Sequence, residues 1–383
     1  MIQIFFKLVV LIVLGLVSCL SSHAQITLSG IVKDSISGER LIGAHVIELN
    51  KHNGMVTDKH GYFTIKTDTP STIKISFIGY QPAFIDFTNA TDTIMIIGLL
   101  PGTLLDEVTM QAYTLTSPGV VALDKRTIER MPALGGKPDI AKSLQLFPGI
   151  ATQSEGSSLL LVRGGDPGQN LYLLDGVPLI YVNRLGGFAS VFEPEMVSDI
   201  KAYKGAFHPS HGGKLSSIIE IAQKEGSRQT HKGLVSIGIT DVSFLAEGPT
   251  PIKNSSFIVS GRKTLTEPIL YYLTSRSEGN NYIFTYGFHD VNAKLSWRPN
   301  IRNSIHFNIY QGDDYLGLRT KKNPRRPNDA KREHNTWGNL IGSLRWNSLR
   351  TSTLFFSGNL SFSMYRLKSR SRQQFQSNNE IKS

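Results

Sequence analysis

Side chains able to do chemistry are few and scattered in this sequence. The only cysteine is Cys19, inside an N-terminal leader, so a chain cut after it has no thiol for a disulfide, a zinc site or a nucleophile. His208 and His211 are three residues apart, but a metal site needs further ligands and the neighbouring sequence offers none. No GxxxxGK[ST] loop or GxSxG elbow is present. We expect no catalytic residue, no metal, no cofactor and no enzymatic activity.

Two aspartates occupy predicted turns, and for both a structural role is favoured. Asp58 precedes Gly61, and a turn-capping carboxylate is a far commoner explanation for this spacing than a metal ligand. Asp175 is followed by Gly176, a dipeptide typical of tight turns between strands. We therefore predict that both carboxylates cap their turns.

The positive charge of the chain is local. The net charge is +11, and between Ile301 and Ser383 there are 15 Lys and Arg against 5 Asp and Glu, a difference of +10. A basic surface confined to one end fits loops that face anionic lipid or ligand better than a nucleic-acid footprint over a whole domain. We expect no nucleic-acid partner.

Residues 1–24 are predicted to be a secretory signal. Lys7 supplies the positive start, and the run from Leu8 to Val17 is apolar but too short to span a membrane. Small residues at Ser22 and Ala24 favour cleavage before Gln25. The alternative is a lipoprotein signal that ends in acylated Cys19.

Residues 25–100 are predicted to form a small β-sandwich, because short strands alternate with Gly and Asn turns about every ten residues. This segment resembles the carboxypeptidase-regulatory-like (transthyretin-like) domain, a module without peptidase chemistry. The resemblance rests on Gly30-x-Val32-x-Asp34, Gly43-Ala44, Thr57-Asp58-x-x-Gly61-Tyr62-Phe63 and Gly79-Tyr80. The predicted strands are Leu28–Val32, Ala44–Leu49, Tyr62–Ile65, Thr72–Phe77 and Thr93–Ile97.

Residues 101–118 are predicted to be a linker and residues 119–228 an α+β domain. We expect short helices after Asp124 and Asp139, and strands at Leu159–Val162, Leu171–Leu174, Ile200–Lys204 and Ser217–Ala222. This region resembles the plug domain of the outer-membrane TonB-dependent receptors. The motifs that carry the resemblance are Val162-Arg163-Gly164-Gly165, Leu173-Leu174-Asp175-Gly176-Val177-Pro178, Ile200 to Gly205, and Gly212-Gly213 before Ile218–Ile221.

Residues 229–383 alternate apolar and polar side chains over segments of about ten residues, which is typical of transmembrane β-barrel strands. About seven strands are visible, whereas plugged barrels of this kind close with about twenty-two, so we expect the first strands of an incomplete antiparallel barrel and a truncated chain. Short connections at Arg298–Asn303 and Asn347–Thr351 are expected on the periplasmic side. Long ones at Leu265–Asn281 and Gly312–Asn335 are expected outside, the second being rich in Lys and Arg.

The resemblance implies roles for particular residues. A TonB box is expected in the linker, with Asp106, Glu107, Val108, Thr109 and Met110 as candidates for strand addition to TonB; an ordinary extended linker is the alternative. Arg163 is expected to face acidic residues of the barrel wall. His211-Gly212-Gly213 stands where relatives carry Tyr-Gly-Gly, so contacts of that tyrosine are not expected here.

The function implied is energy-coupled uptake of a ligand through a plugged barrel in the cell outer membrane. The implied partners are TonB with ExbB and ExbD, outer-membrane lipid, a small-molecule, glycan or peptide ligand, and a surface lipoprotein. One alternative is a surface binding or adhesion protein without active transport. A peptidase role is suggested only by the sandwich's family name and lacks any hydrolytic motif.

Overall fold

The computed structural model describes residues 25–49, 51, 53–58, 60–68, 70–87, 93–102, 119–124, 127–128, 138–154, 156–184, 186–205, 207, 211–238, 240–277, 281–320, 330–351 and 354–374. These residues form two compact units, one within residues 1–115 and 349–356 and the other within residues 116–348 and 357–383. The predicted signal peptide, most of the linker and most of the helix expected after Asp124 lie outside the described residues.

The first unit contains a two-sheet β-sandwich. One sheet has the order β4-β1-β7 and the other β3-β2-β5-β6, and apolar residues of both sheets, such as Leu28, Phe63 and Ile75, share one core. The five predicted strands are confirmed, and β3 and β6 are additional. The strands are β1 (Gln25–Asp34), β2 (His45–Glu48), β3 (Gly54–Val56), β4 (Tyr62–Asp68), β5 (Ser71–Ser76), β6 (Ala83–Phe87) and β7 (Thr93–Leu99).

Side chains in the sandwich turns explain the sequence pattern of this domain. The Asp58 carboxylate accepts hydrogen bonds from the backbone N–H of His60 at 2.8 Å and of Tyr62 at 2.9 Å, which confirms its predicted role as a turn cap. Buried Asp34 accepts a hydrogen bond from the Tyr80 hydroxyl at 2.7 Å. That bond joins two of the motif segments across the domain.

The second unit begins with the α+β plug segment, as predicted. Its main sheet has the order β12-β11-β16-β15-β8, in which β11 and β16 run parallel. Helix α1 (Ile140–Leu144) starts at Asp139, whose side chain accepts from the Lys142 N–H, and it buries Ile140 and Leu144. The strands are β8 (Val120–Asp124), β9 (Ile150–Thr152), β10 (Leu160–Val162), β11 (Asn170–Leu174), β12 (Val177–Leu179), β13 (Asn183–Arg184), β14 (Ala189–Ser190), β15 (Val197–Tyr203) and β16 (Ser217–Gln223).

The unit continues as one antiparallel sheet of seven strands in sequence order, here called the wall. Within the described residues the wall is open, because β17 and β23 are its edges. The predicted fold class is therefore confirmed for the sandwich, the plug segment and the antiparallel strands. The wall strands are β17 (Lys232–Ile237), β18 (Asp241–Pro249), β19 (Ser255–Thr264), β20 (Tyr282–Asn300), β21 (Asn303–Thr320), β22 (Ala330–Leu349) and β23 (Phe355–Gln374).

Two predicted loops of the wall differ from the structure. The segment Gly312–Asn335 is not one long loop, because β21 and β22 stay paired up to Arg319 and Arg332. The segment has the charged composition of a loop, yet pairing between β21 and β22 holds residues 312–319 and 332–335 extended. The segment Leu265–Asn281 contains helix α2 (Thr266–Arg276), which was not predicted from the sequence. No helix in the described part of the chain is long and apolar enough to cross a membrane.

The burial pattern of the wall is the reverse of that in a sheet of a water-soluble protein, because its apolar side chains are exposed and its polar side chains are buried. On β20, Leu295 is 50% exposed, whereas its neighbours Lys294 and Ser296 are 6% and 0% exposed. Exposed apolar side chains on alternate positions are what strands facing lipid present. The same contrast separates exposed Val291, Trp297, Phe307, Leu344, Leu360 and Phe362 from buried Asn292, Ser304, Asn308, Asn339, Ser343 and Asn347.

This contrast predicts that Leu295→Arg destabilises the wall by about 2–4 kcal/mol, the cost of a cation near the centre of the lipid band. In water, a change at a half-exposed position would have little effect. The measurement is the free energy of unfolding from lipid vesicles in urea. Ile252→Arg, in the turn between β18 and β19 where Ile252 is 60% exposed, is the control and should change it little; equal effects of the two variants would contradict a lipid-facing Leu295.

Candidate functional site

The plug segment meets the inner face of the wall through buried charges, and Arg184 of β13 lies at their centre. Its side chain is 1% exposed and pairs with Asp290 of β20 and Asp314 of β21. The Tyr310 hydroxyl donates to Asp290 at 2.9 Å, and the Tyr286 hydroxyl donates to Asp314. A guanidinium with both partners in the wall fixes β13 against β20 and β21.

A second arginine, from the wall, completes the arrangement around Asp290. Arg262 of β19 donates to the other Asp290 oxygen at 2.7 and 2.9 Å. It also donates to the plug carbonyl of Val191 at 3.0 Å, and its Nε lies 3.6 Å from Glu193 of the plug. Arg184 and Arg262 lie 5.3 and 5.1 Å from the centre of the Phe288 ring, within cation–π range.

Asp175 anchors the turn between β11 and β12 to the wall. Its carboxylate lies 2.8 Å from the Lys294 ammonium and accepts from the Gln223 N–H at 2.9 Å. The Asp175 carbonyl accepts from the Arg345 guanidinium. Asp175 therefore does more than the predicted capping of its turn. It also binds Lys294 and Arg345, two wall residues that are distant from it in sequence.

Glu225, just after the plug sheet, makes a third set of contacts with the wall. Its carboxylate lies 2.7 Å from the guanidinium of Arg298 and also pairs with Arg228. Its backbone carbonyl accepts from the Ser256 hydroxyl at 2.7 Å. The end of the plug segment is thus attached to the wall at β19 and β20.

Arg163 makes its contacts in the described residues within the plug segment. It is exposed, adopts a positive φ of 50°, and its guanidinium lies beside Gly119 and Gly205 of the plug segment. The plug arginine that reaches wall carboxylates in the described residues is Arg184. The contact expected between Arg163 and wall carboxylates is not among those of the described residues and stays a prediction.

Two of the motif glycines are required by close approaches. A Cβ at Gly165 would lie 2.7 Å from the Ser216 Cβ, so only glycine permits the contact between these two loops. Gly176 has a φ of 79°, and a Cβ there would lie 2.8 Å from the Arg345 guanidinium. The glycine after Asp175 therefore serves the attachment to the wall as well as the turn.

The remaining predicted positions lie apart from the buried charges. Gly164 is exposed beside Arg163, and Gly212 and Gly213 are exposed before β16. His211 pairs with Glu220 at 3.2 Å. Among the described residues there is no group of three or more side chains suited to hold a metal. His208 and the TonB-box candidates Asp106, Glu107, Val108, Thr109 and Met110 lie outside the described residues and stay predictions.

The residues that sequence reasoning missed carry a recognisable signal. Asp290, Asn292 and Lys294 alternate with the apolar Val291 and Leu295 on one strand. Ionised side chains on the polar side of a lipid-facing strand are expensive unless a partner within the lumen neutralises them. Their presence indicated a charged interior, but not which plug residues would meet it.

Comparison with known families assigns two of the chain's segments. A family model described as a CarboxypepD_reg-like domain matches residues 28–110. A model described as the TonB-dependent receptor plug domain matches residues 116–215, the part of the chain that supplies Arg184 and Asp175. The chain carries the plug of a TonB-dependent receptor. Both resemblances predicted from the sequence are confirmed, while the limits given for the domains stay predictions.

Curated relatives agree with this family. TonB-dependent receptor SusC of Bacteroides thetaiotaomicron is 34% identical over 105 residues, which cover 24% of this chain and 10% of that protein. A TonB-dependent receptor of Formosa agariphila is 32% identical over 179 residues, covering 42% of this chain and 17% of that protein. The aligned part is a small fraction of either relative.

Solved structures that match parts of this chain include a siderophore receptor from Acinetobacter baumannii, with a TM-score of 0.39 and 15% identity over 67% of this chain and 45% of that one. An outer membrane transporter from Escherichia coli gives 0.46 and 14% over 64% and 38%. TonB-dependent receptors are proteins of the outer membrane, which confirms the location expected from the sequence. The relatives are named as receptors and transporters.

The buried charges predict that Asp290→Asn lowers the free energy of unfolding by about 3–5 kcal/mol, because it leaves two arginines without their shared carboxylate. Urea unfolding of the purified protein in detergent measures the change. Glu195→Gln removes a carboxylate of the plug that makes no side-chain ion pair in the described residues, and we expect a change of about 0.5 kcal/mol or less. A loss for Asp290→Asn no larger than this control would show that the network contributes nothing.

A second prediction concerns Asp199 of β15, in the plug. Burial raises the pKa of the Asp199 carboxyl to about 6. The charges of Asp175 and Glu220 also raise this pKa, whereas Lys201 and the Ser198 hydroxyl lower it. The folded plug then holds a proton that the unfolded chain releases near pH 4. Stability should therefore fall as the pH rises from about 4 to about 6. Asp199→Asn should flatten that part of the stability curve; an unchanged slope would contradict the raised pKa.

Proposed function

We propose that this protein takes up a ligand across the outer membrane by transport coupled to TonB. The plug segment blocks a passage inside the wall, and a pull on the linker moves it. No nucleotide site is needed in this chain, because the energy reaches it through TonB and its inner-membrane partners ExbB and ExbD. The ligand is a small molecule, a glycan or a peptide that enters from the outside.

The observation that supports the proposal is the polar nature of the plug's attachment. Arg184, Asp175 and Glu225 hold the plug through ion pairs and hydrogen bonds to the wall. Such contacts exchange readily with water, so the plug can shift without exposing a large apolar surface to it. The apolar side chains of the wall face the other way and stay in lipid. An interface of this kind suits a plug that moves while the wall stays fixed.

In this proposal the linker is the segment that TonB binds and pulls. Asp106 to Met110 is a short segment with β-branched Val108 and Thr109, suited to pair as an added strand with TonB. The sandwich in front of the linker, together with the similarity to SusC, supports a surface lipoprotein as a further partner of the complete receptor.

The test is Val108→Pro in the full-length gene, because proline removes the N–H that strand pairing requires. Growth of a deletion strain on glycans, iron chelates and vitamins first identifies the nutrient that depends on the gene. Uptake of that nutrient should then fall at least about tenfold in the variant, with receptor abundance and surface binding unchanged.

Thr114→Pro, in the same linker but outside the candidate box, is the control and should leave uptake at the original rate. A peptide of residues 103–114 should bind the purified periplasmic domain of TonB, and its Val108→Pro form should not. Normal uptake by the Val108→Pro receptor would overturn the assignment of the box. Surface binding without uptake in the original strain would overturn transport itself.

A further inference from the structure

The outer face of one sandwich sheet carries apolar side chains at positions where a soluble domain normally presents polar ones. On β1, Leu28 and Val32 lie in the sandwich core, and alternation along the strand turns Ile31 to the outer face. Ile31 lies directly opposite Tyr62 of β4, and both are buried, at 4% and 8% exposed. The two residues form a cluster with Ile94 that is separate from the core. We call Ile31, Tyr62 and Ile94 the apolar row.

Two residues from a distant part of the sequence cover the apolar row. Leu349, the last residue of β22, is 2% exposed and belongs to the same cluster. Phe355, the first residue of β23, stacks on Tyr62 with ring centres 4.8 Å apart and an angle of 15° between the rings. The His60 ring lies 5.4 Å from the same phenylalanine. All of these contacts lie within the first unit, which includes residues 349–356.

The position of Leu349 on its strand shows that lipid does not cover it. Leu349 alternates in phase with Ser343 and Asn347, which are buried on the inner, polar face of the wall. Side chains that meet lipid lie on the other face, as exposed Leu344 does. A leucine at the end of a polar face is buried favourably only against another apolar surface. The apolar row provides that surface.

A neighbouring short turn of the wall has no such cover. The connection from β20 to β21 is flanked by Asn300 and Asn303, and its Ile301 is 68% exposed. The connection from β22 to β23 is flanked instead by the apolar Leu349 and Phe355. Burial of apolar side chains is therefore particular to this turn and is not a general property of the strand ends.

We propose that the turn from β22 to β23 is the docking site of the sandwich in the complete receptor, with Leu349 and Phe355 seated on the apolar row. Because the turn and the sandwich belong to one chain, their effective concentration is high, and a contact of a few side chains is sufficient. A stable contact with a separate protein needs about 20–30 residues on each side. The small size of the apolar row therefore favours a segment of the same chain over a second copy.

Docking has a consequence for transport, and that consequence rests on the proposed uptake function. The linker begins after Gly102 in the sandwich unit and ends before Gly119 in the plug unit. A docked sandwich limits how far the front end of the linker moves when TonB pulls on it. The docking contact then bears part of the force that would otherwise reach the plug.

The experiment is cross-linking within the full-length protein in detergent. Thr64→Cys and Leu354→Cys place thiols at exposed positions near Tyr62 and Phe355, and Cys19→Ser removes the native thiol. A short bifunctional maleimide should join the two new cysteines inside one chain, which mass spectrometry of the digested protein detects. With Phe84→Cys in place of Thr64→Cys, on the outer face of the other sheet, the cross-link should be absent.

Two variants in the Thr64→Cys, Leu354→Cys background test the contact from both sides. Leu349→Ser should lower the yield of the cross-link at least about fivefold, because it removes the buried leucine and leaves the sandwich unaltered. Ile301→Ser, in the exposed neighbouring turn, is its control and should leave the yield unchanged. Ile31→Lys should lower the yield as well, because it buries an ammonium without a partner. Its control is Ile47→Lys, at a partly exposed position on the other sheet.

The outcomes that would overturn the proposal are distinct. Equal yields for Leu349→Ser and Ile301→Ser would show that the turn does not hold the sandwich. A cross-link between two chains would assign the apolar row to a second copy. Circular dichroism checks that each variant folds, and Leu349→Ser keeps the test valid if Ile31→Lys does not fold. Because cross-linking requires neither TonB nor a nutrient, failure of docking and failure of transport are distinguishable.

Discussion

Asp290 lies buried between two arginines from different parts of the fold, one from the plug and one from the wall. A carboxylate removed from water is tolerated only when cations and hydrogen-bond donors surround it. Arg184 also pairs with Asp314 and Arg262 also lies near Glu193, but Asp290 is the one carboxylate that the two arginines share in the described residues. The plug and the inner face of the wall therefore depend on each other. Removing either one would leave charged side chains of the other without their partners.

The outer face of the wall follows from the opposite constraint. Lipid offers no hydrogen bonds, so the strands must satisfy every backbone group through their neighbours and present apolar side chains outward. The seven wall strands pair in sequence order without interruption, and Val291, Leu295 and Phe307 lie exposed on their outer side. Alternate residues of one strand thus face different environments. Lys294 faces the inside of the wall, and its neighbour Leu295 faces the outside.

Charge also marks the limit of the lipid band. His289 and Asp313 lie 3.9 Å apart on the outer face, and Arg366 reaches the same Asp313. On β23 the outward Leu360, Phe362 and Met364 lie below this row, and the outward Lys368, Arg370 and Arg372 lie above it. The net charge of +11 is therefore not spread evenly over the chain, since residues 301–383 account for +10 of it.

Local patterns in the sequence determined much of this protein. Turn residues and alternation located the strands of the sandwich, the plug sheet and the wall, because these features depend on neighbours within a few residues. The Asp139 cap of α1 and the Asp58 turn were predictable for the same reason. The sequence also indicated a charged interior through Asp290 and Lys294. Only the tertiary structure decided that Arg184 meets Asp290 and Asp314 of the wall, that Asp175 pairs with Lys294, and that β21 and β22 extend into a segment of loop-like composition. Ion pairs join residues more than a hundred positions apart, and strand pairing overrides local composition, so neither can be inferred from the spacing of residues along one chain.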